Sequence, residues 1–268
     1  MKGNILITGG TSGLGLELVK LFLHNGFYVV ITGRKSVNIA GFEDKFRFYL
    51  VDFSNLGNTA SVIKEICDTF NFDLVINNAG ILSPPYFIKT DDGYEYTYQV
   101  NFLSHLLINE IIIQHHNKIR PLKIAAVTST AYRIAIPNLK SLQDNNAYRP
   151  FKAYSNSKLY LVLMCRHLSV KYHDRKIYFL SFDPGVFSSG IYRMQSELFR
   201  KLYKVASPFM KKPTAIARVL SEILTGSNIA NGAVYDIKKR IRNLPEIEPS
   251  VAMAFWNETF NIIVPYLR

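Results

Sequence analysis

The chain has 268 residues, of which 48% are hydrophobic and 19% charged, so it is long and apolar enough to bury a sizeable core. This composition excludes a disordered or low-complexity protein. The formal net charge of +12 favours an anionic cofactor, an acidic partner, nucleic acid or a membrane surface, but no nucleic-acid-binding motif accompanies it. We therefore expect no nucleic acid partner.

Two cysteines, Cys67 and Cys165, lie in apolar stretches with helical character, and neither has the partner spacing of a zinc or redox site. We expect both to be reduced core residues in a cytoplasmic protein that holds no metal. No apolar run reaches the ~18 residues that span a bilayer, and the N-terminus lacks the pattern of a signal peptide. The sequence thus predicts no transmembrane segment.

The first predicted elements are a short apolar strand over residues 4–8 and a helix that follows a glycine-rich turn. Gly9, Gly13 and Gly15 are spaced Gly-x-x-x-Gly-x-Gly, which differs from the Gly-x-Gly-x-x-Gly pattern. Glycines allow a sharp turn and the close approach of a ligand, and the following helix directs its first amides at an anion. This arrangement is typical of a site for the pyrophosphate of a dinucleotide.

The second predicted strand, residues 27–32, is followed by Gly33, Arg34 and Lys35, with no carboxylate. An acidic residue there would bond the adenosine ribose of NAD and repel a 2′-phosphate. A guanidinium binds a phosphate through paired hydrogen bonds. Arg34 therefore favours NADP(H) over NAD(H); the alternative is that Arg34 and Lys35 are ordinary loop charges.

Three further strands end in polar residues, where a parallel sheet presents side chains to a ligand. The strand over 46–51 ends at Asp52, the strand over 74–76 at Asn77, and the strand over 123–128 at Ser129. A helical region before the last of these strands carries Asn101, and Asp91 is predicted as its N-cap. A long loop over residues 132–150 follows Ser129, and ordered loops of this length tend to be functional.

A helix predicted from about residue 151 places Tyr154 and Lys158 one turn apart on one face. A phenol titrates near pH ~10, and an ammonium held beside it favours the phenolate and lowers the pKa. Such a pair allows a tyrosine to exchange protons near neutral pH. The same spacing also occurs in ordinary helical surface pairs, so its interpretation depends on the other motifs.

The C-terminal part adds a strand over 177–182, a basic helical segment over 189–212, a helix over 213–224, a strand over 233–236 and a helix over 249–267. Alternating strands and helices at this spacing predict one α/β domain over residues 1–268. We expect a doubly wound parallel sheet of the Rossmann type with about seven strands, and a segment over 186–212 that covers the substrate.

The chain resembles the short-chain dehydrogenase/reductase family from residue 4 to about residue 190. The motifs that carry the resemblance occur in the order of the family, and they are Thr8-Gly9-x-x-x-Gly13-x-Gly15, Asp52, Asn77-Asn78-Ala79-Gly80, Asn101, Ser129, Tyr154-x-x-x-Lys158 and Pro184-Gly185. Residues 100–105, the long loop before Tyr154 and the helix with Trp256 are similar to the retinol dehydrogenase branch. The resemblance implies an oxidoreductase, and together with Arg34 it predicts an NADP-dependent one.

The resemblance also implies roles for individual residues. Tyr154 would be the general acid or base, and Lys158 would support it and bond the nicotinamide ribose. Ser129 would bond the substrate oxygen, and Asn101 would hold a water. The residues expected to contact the cofactor are Gly9, Thr11, Ser12, Gly13, Leu14, Gly15, Arg34, Asp52, Phe53, Asn78, Ala79, Gly80, Tyr154, Lys158, Pro184, Gly185, Val186 and Ser189. The family often has Thr where Ser189 stands.

We expect hydride transfer to or from a ketone, an aldehyde or a secondary alcohol, as in a carbonyl reductase. The substrate is expected to be apolar, because aromatic residues are frequent between 186 and 212, although these rings could equally be core. It could instead be linked to an acidic carrier protein that docks on the basic residues of 193–212; a solvated helix face is the other interpretation of that charge. A non-redox enzyme of the same fold and a cofactor-sensing binding protein remain as alternatives.

Two further expectations concern the histidines and the oligomeric state. His105, His115 and His116 have no carboxylate or cysteine at ligand spacing, so we expect packing or surface roles rather than a metal site. Members of the family are often dimeric or tetrameric through long helices. The helix with Trp256 would block one such interface, so monomer and homodimer both stay open.

Overall fold

The structure is a computed structural model that describes residues 2–117, 119–135, 145–185, 211–244 and 246–268. Its strands form one sheet, and they are Asn4–Thr8 (β1), Tyr28–Gly33 (β2), Phe46–Leu50 (β3), Leu74–Asn77 (β4), Leu122–Val127 (β5), Ile177–Asp183 (β6), Ala233–Asp236 (β7) and Ile241–Arg242 (β8). Their order across the sheet is β3-β2-β1-β4-β5-β6-β7-β8. The order reverses between β1 and β4, so the carboxyl ends of these two strands open the crevice in which doubly wound folds bind ligands.

Helices cover both faces of the sheet. They are Gly13–His24 (α1), Leu56–Thr69 (α2), Tyr96–Tyr98 (α3), Ser104–His115 (α4), Pro150–Lys171 (α5), Pro213–Thr225 (α6) and Pro249–Leu267 (α7), with a π-helical turn over Gln99–Leu103 and 3-10 helices over Glu43–Lys45 and Thr130–Ile134. On one face, α2, α4 and α5 bury Ile63, Ile108 and Met164. On the other face, α1 and α6 bury Leu18 and Ile216. Both faces of the sheet are therefore closed, which explains the nearly continuous apolar sequence of the central strands.

The prediction of a parallel Rossmann-type sheet is confirmed. The sheet has eight strands, one more than the expected number of about seven. The additional strand, β8, has two residues and pairs antiparallel with β7. The Asp236 carboxylate accepts bonds from the amides of Lys238 (2.7 Å) and Arg240 (3.0 Å) and so stabilises the turn between the two strands. A two-residue strand among charged residues has no alternating pattern that would reveal it.

The helical region before Asn101 begins at a different residue from the predicted one. Glu95, and not Asp91, is the N-cap, and its carboxylate accepts bonds from the amides of Thr97 (2.9 Å) and Tyr98 (2.7 Å). The prediction failed because several acidic residues precede this helix at plausible capping distance. A carboxylate at this cap satisfies two of the first amides, which have no partner inside the helix.

The C-terminal helix α7 has the predicted bounds and covers the outer surface of α5. Its Phe255 stacks on Tyr160 with the ring centroids 4.6 Å apart, and Trp256 stacks on His167 at 4.2 Å. This helix occupies the surface that we considered for a homodimer, so the choice between monomer and homodimer stays a prediction. Among the described residues, no helix combines the length and apolar character that crossing a bilayer requires.

Candidate active site

The turn between β1 and α1 has the geometry that its glycines predict. Gly9 and Gly13 have φ angles of 65° and 55°, in the left-handed region. A Cβ on Gly15 would lie 2.2 Å from the carbonyl oxygen of Gly9, so only glycine fits there. A Cβ on Gly13 would meet no atom of the described residues within 4 Å, apart from its chain neighbours and the adjacent backbone of α1. The side chain of Ser12, the N-cap of α1, makes no capping bond, which leaves the first amides of α1 for another acceptor.

Thr8 and Asn78 join the ends of β1 and β4 at the crevice. The side-chain amide of Asn78 donates to the carbonyl oxygens of Thr8 (2.9 Å) and Gly9 (3.2 Å). The backbone amides of Asn78 and Ala79 donate to the Thr8 hydroxyl oxygen at 2.9 Å and 3.0 Å. These four bonds hold the Asn-Asn-Ala-Gly segment against the glycine turn, so the predicted cofactor residues of both strands lie together.

The residues predicted for the adenosine end differ in exposure. Arg34 and Lys35 are exposed directly after β2. Asp52 is exposed after β3, and its carboxylate accepts bonds from the amide (3.0 Å) and the hydroxyl (2.7 Å) of Ser54. The ring of Phe53, in contrast, is buried in the core. We therefore expect Phe53 to contact an adenine through its backbone and not through its ring.

Asn101 lies in the π-helical turn between α3 and α4, and π turns often occur at functional sites. Its side-chain nitrogen donates to the carbonyl oxygen of Ile81 and to the hydroxyl of Ser157, both at 3.0 Å, and its oxygen accepts from the amide of Ile81 at 2.8 Å. The Ser157 hydroxyl donates in turn to the carbonyl oxygen of Tyr154 (2.7 Å). Asn101 is thus tied to the turn of α5 that carries Tyr154 and Lys158.

Tyr154 and Lys158 share one face of α5, as their spacing predicts. Nζ of Lys158 lies 5.9 Å from the centroid of the Tyr154 ring and donates to the carbonyl oxygen of Val127 (3.1 Å). Lys158 is buried, and burial lowers its pKa to about 8. Tyr154 is only partly buried. A buried ammonium beside a partly buried phenol is not an ordinary surface pair, and it suits proton exchange.

Ser129 follows β5 and caps the 3-10 helix, where its hydroxyl oxygen accepts a bond from the amide of Ala131 (3.3 Å). The hydroxyl groups on either side of it are bonded to other parts of the protein. Thr128 donates to the carbonyl oxygen of Lys158 (2.8 Å), and Thr130 donates to the carboxylate of Asp183 (3.0 Å). Of these three consecutive hydroxyls, Ser129 is therefore the best placed to bond a substrate oxygen.

A comparison with protein families identifies the chain. The model described as short chain dehydrogenase matches residues 3–199. The chain belongs to the short-chain dehydrogenase family. Human polyprenol dehydrogenase is 26% identical over 204 residues, which cover 70% of this chain and 62% of that relative, less than two thirds of its length. Human retinol dehydrogenase 12 is 29% identical over 218 residues, which cover 77% of this chain and 68% of that relative.

These relatives confirm the resemblance to the retinol dehydrogenase branch of the short-chain dehydrogenases. A solved structure supports the fold: the 3-ketoacyl-(acyl-carrier-protein) reductase from Brucella melitensis, complexed with NADH, matches with a TM-score of 0.68. It is 20% identical, and the match covers 88% of this chain and 96% of the reductase. The family and the fold therefore agree with the motifs read from the sequence.

The remaining short-chain dehydrogenase positions are only partly within the described residues. Pro184 is buried at the end of β6, and Gly185 has a φ angle of 64°. Val186 and Ser189 lie outside the described residues, and so does most of the predicted substrate-covering segment 186–212. At the other end of the site, Thr11 and Ser12 lie in the glycine turn, while Leu14 is buried.

The three histidines in and after α4 differ in their surroundings. His115 is exposed, and Nε2 of the buried His116 donates to the carbonyl oxygen of Arg120 (2.9 Å). His105 is fully buried beside Thr8. In the described part of the chain, no three metal-binding side chains come together. The contacts of His105 were not foreseen, because Thr8 is 97 residues away in the chain.

Asp183 is a second residue of the site that sequence reasoning missed. Its buried carboxylate accepts bonds from the Thr130 hydroxyl (3.0 Å), the Arg133 guanidinium (3.1 Å) and the Gly185 amide (2.9 Å). These bonds join the segment after Ser129 to the turn after β6. The first two partners are 53 and 50 residues away in the chain, so no local sequence pattern indicates these contacts.

We expect Asp183→Asn to lower the turnover of this short-chain dehydrogenase about ten-fold, because an amide cannot accept three donors and loses the ion pair with Arg133. The free energy of unfolding should fall by about 1–2 kcal/mol. The measurements are steady-state kinetics and denaturant unfolding. The control is Asp174→Asn, an exposed carboxyl before β6. Wild-type turnover in Asp183→Asn would contradict a role for this carboxylate in holding the Ser129 segment.

Proposed function

We propose that the protein is an NADP(H)-dependent oxidoreductase that transfers a hydride to a ketone or an aldehyde, or from a secondary alcohol. The observation that carries this proposal is the placement of the buried Lys158 one helical turn from the accessible Tyr154. The names of the relatives, retinol dehydrogenase and polyprenol dehydrogenase, support an apolar substrate. A carrier-linked substrate stays the second form of the same proposal.

The crevice fits a nicotinamide dinucleotide. The open side of Gly13 and the first amides of α1 suit a pyrophosphate, and Asn78, Ala79 and Gly80 line the opposite wall at the end of β4. We assign contacts with the nicotinamide half to Tyr154, Lys158 and the turn after β6. When bound, the cofactor supplies or accepts the hydride.

The side chains divide the work on the substrate. In reduction, the Tyr154 phenol gives its proton to the substrate oxygen as negative charge develops there, and the Ser129 hydroxyl donates a hydrogen bond to the same oxygen. The Lys158 ammonium stabilises the phenolate that remains. Asn101 holds the α5 turn in place through Ser157. In oxidation the same groups act in reverse, and Tyr154 accepts the proton.

The fold alone does not select between the two nicotinamide cofactors, since the Brucella melitensis reductase was solved with NADH. Our preference for NADP(H) rests on Arg34 and Lys35, two exposed cations directly after β2. Neither Gly33 nor these two residues would repel a 2′-phosphate, and the guanidinium of Arg34 offers paired donors to it.

We expect NADPH to raise the thermal unfolding temperature more than NADH does. In Arg34→Ala, the affinity for NADPH should fall about ten- to hundred-fold, while the affinity for NADH should stay the same, because a charge-assisted contact to the 2′-phosphate is lost. The measurement is a titration of both dinucleotides. Arg175→Ala is the matched control. Arg175 is also exposed, but it precedes β6 and so lies at the amino ends of the strands, whereas Arg34 lies at their carboxyl ends. Equal binding of NADH and NADPH to the wild type would contradict the preference.

The reaction itself is tested by following NADPH oxidation with a panel of apolar ketones and aldehydes. We expect oxidation with at least one member. Binding of NADPH without oxidation by any member would favour the cofactor-sensing protein, and turnover without net change in NADPH would favour the non-redox enzyme. Salt sensitivity confined to carrier-linked substrates would support docking on an acidic carrier protein.

We also propose that the protein is cytoplasmic, with both cysteines reduced. Cys165 is buried and Cys67 partly so, and burial raises the pKa of both thiols to about 12. Such thiols stay protonated at neutral pH and react slowly in disulfide exchange. Unreactive thiols fit the prediction from the sequence that Cys67 and Cys165 form neither a redox pair nor a zinc site.

A further inference from the structure

His105 is a fully buried histidine of α4 that bonds two parts of the site at once. Its Nδ1 lies 2.9 Å from the carbonyl oxygen of Asn101, and its Nε2 lies 3.1 Å from the hydroxyl oxygen of Thr8. Asn101 reaches the turn of α5 with Tyr154 and Lys158. Thr8 holds the segment that follows β4. The imidazole therefore connects the catalytic turn with the walls of the cofactor crevice.

The bonding partners define which ring nitrogen carries the proton. A carbonyl oxygen only accepts, so Nδ1 donates to Asn101. The Thr8 hydroxyl oxygen already accepts from the amides of Asn78 (2.9 Å) and Ala79 (3.0 Å), so both of its lone pairs are used and the hydroxyl can now only donate. Nε2 is therefore unprotonated and accepts from Thr8. A proton on Nε2 would be a third donor to the Thr8 hydroxyl oxygen and would turn the hydroxyl hydrogen toward the carbonyl oxygen of Ile76, 3.5 Å away.

The surroundings of the imidazole also favour its neutral form. The Phe53 ring packs against it with the centroids 5.6 Å apart. Burial lowers the pKa of His105 to about 4; the bond to Asn101 opposes this change, and the charge of Lys158 reinforces it. A neutral imidazole with one donor and one acceptor satisfies Asn101 and Thr8 together, which no purely apolar side chain does.

A bond from Nδ1 to the carbonyl oxygen four residues earlier does not by itself distinguish His105 from other histidines. His115, on the same helix, makes the corresponding bond to Ile111 (2.8 Å), and His24 makes it to Lys20 (2.7 Å). Both of these histidines are exposed. His105 differs from them in its burial and in its second bond, to Thr8, so His115 is a matched control for it.

We propose that His105 is a positioning residue that couples the ends of β1 and β4 to the catalytic turn around Asn101. It acts through Thr8 and Asn101. Without the imidazole, the Thr8 hydroxyl loses its acceptor and holds the amides of Asn78 and Ala79 less firmly, and the carbonyl of Asn101 loses a donor. This inference rests on the proposed function, so two of its readouts do not need turnover.

The first experiment compares His105→Leu, His105→Gln and the control His115→Leu. In His105→Leu we expect NADPH affinity to fall about ten-fold and kcat for the reacting carbonyl to fall by a similar factor, with KM for the carbonyl nearly unchanged. His105→Gln keeps a donor and an acceptor, and it should recover most of both losses. His115→Leu should stay within about two-fold of the wild type.

The second experiment needs no variant and remains decisive if His105→Leu fails to fold. Nitrogen-15 chemical shifts of the histidine side chains in the wild-type protein report the tautomer directly. We expect His105 to be neutral with its proton on Nδ1 at pH 7. A proton on Nε2, or on both nitrogens, would overturn the assignment.

The remaining outcomes separate this inference from the proposed function. If His105→Leu binds NADPH as tightly as the wild type, His105 is only a packing residue. The same holds if the Leu and Gln variants lose NADPH affinity, kcat and stability to the same extent. A protein that reduces no carbonyl but loses NADPH affinity ten-fold in His105→Leu would overturn the proposed function and still support the positioning role of His105.

Discussion

Tyr154→Phe is expected to lower the rate of carbonyl reduction by about 10²–10⁴-fold, the range that a positioned general acid contributes. The change removes one oxygen atom from a partly buried ring and leaves α5 otherwise intact. The affinity for NADPH should therefore stay within a few-fold of the wild type. Single-turnover reduction and a separate NADPH titration measure the two effects independently.

The control for this variant is Tyr178→Phe, which removes the same atom from an exposed tyrosine of β6. It should react at the wild-type rate. Turnover by Tyr154→Phe at more than about a tenth of the wild-type rate would contradict the role of Tyr154, because a general acid contributes more than that factor. Loss of NADPH binding in the same variant would show that the Tyr154 hydroxyl contributes to cofactor binding and not only to proton transfer.

Lys158→Met is expected to abolish detectable turnover and, at the same time, to raise the stability of the protein without cofactor. Burial lowers the pKa of Lys158 from 10.5 to about 8, so the folded protein at neutral pH carries an ammonium that it solvates poorly. This shift corresponds to roughly 3 kcal/mol of folding free energy, offset by about 1 kcal/mol for the lost bond to Val127. We expect a rise in unfolding temperature of about 5 °C.

The pH dependence of this stabilisation has a defined sign. Between pH 8 and 10.5 the unfolded chain binds more protons at Lys158 than the folded protein does, so the wild type gains stability as the pH rises. The penalty is fully present below pH 8. The advantage of Lys158→Met should therefore shrink from pH 8 to pH 10. Lys176→Met, at an exposed lysine, should show no such change. A Lys158→Met variant that is less stable than the wild type at pH 7 would contradict a burial penalty on the Lys158 ammonium.

Local patterns predicted most of the fold because each strand and helix has its own periodicity. The bounds of β1, β7 and α7 agree with the sequence interpretation. The same method failed where an element is too short to show a pattern, and where several residues of the same type compete for one position. The strand β8 has two residues, and the cap of α3 is Glu95, whose carboxylate reaches the first amides of that helix.

The site was predictable where chemistry is carried by contiguous residues. The glycine turn and the Tyr154–Lys158 pair are examples, because a turn and a helix face are set by neighbours in the chain. The contacts of Asp183 and His105 join residues 50 to 97 positions apart, so only the folded chain brings them together. Phe53 shows the converse, since the family resemblance implied a contact with the cofactor without showing that the ring itself is buried.

The most direct test of the central claim uses NADPH in which deuterium replaces both hydrogens at C4 of the nicotinamide. A carbonyl from the apolar panel is reduced in normal water, and the alcohol is analysed by mass spectrometry and NMR. We predict one deuterium on the carbinol carbon in the wild-type product, and formation of the same labelled alcohol about 10²–10⁴-fold more slowly in Tyr154→Phe. An alcohol without deuterium on carbon would contradict hydride transfer from the dinucleotide as the reaction of this site.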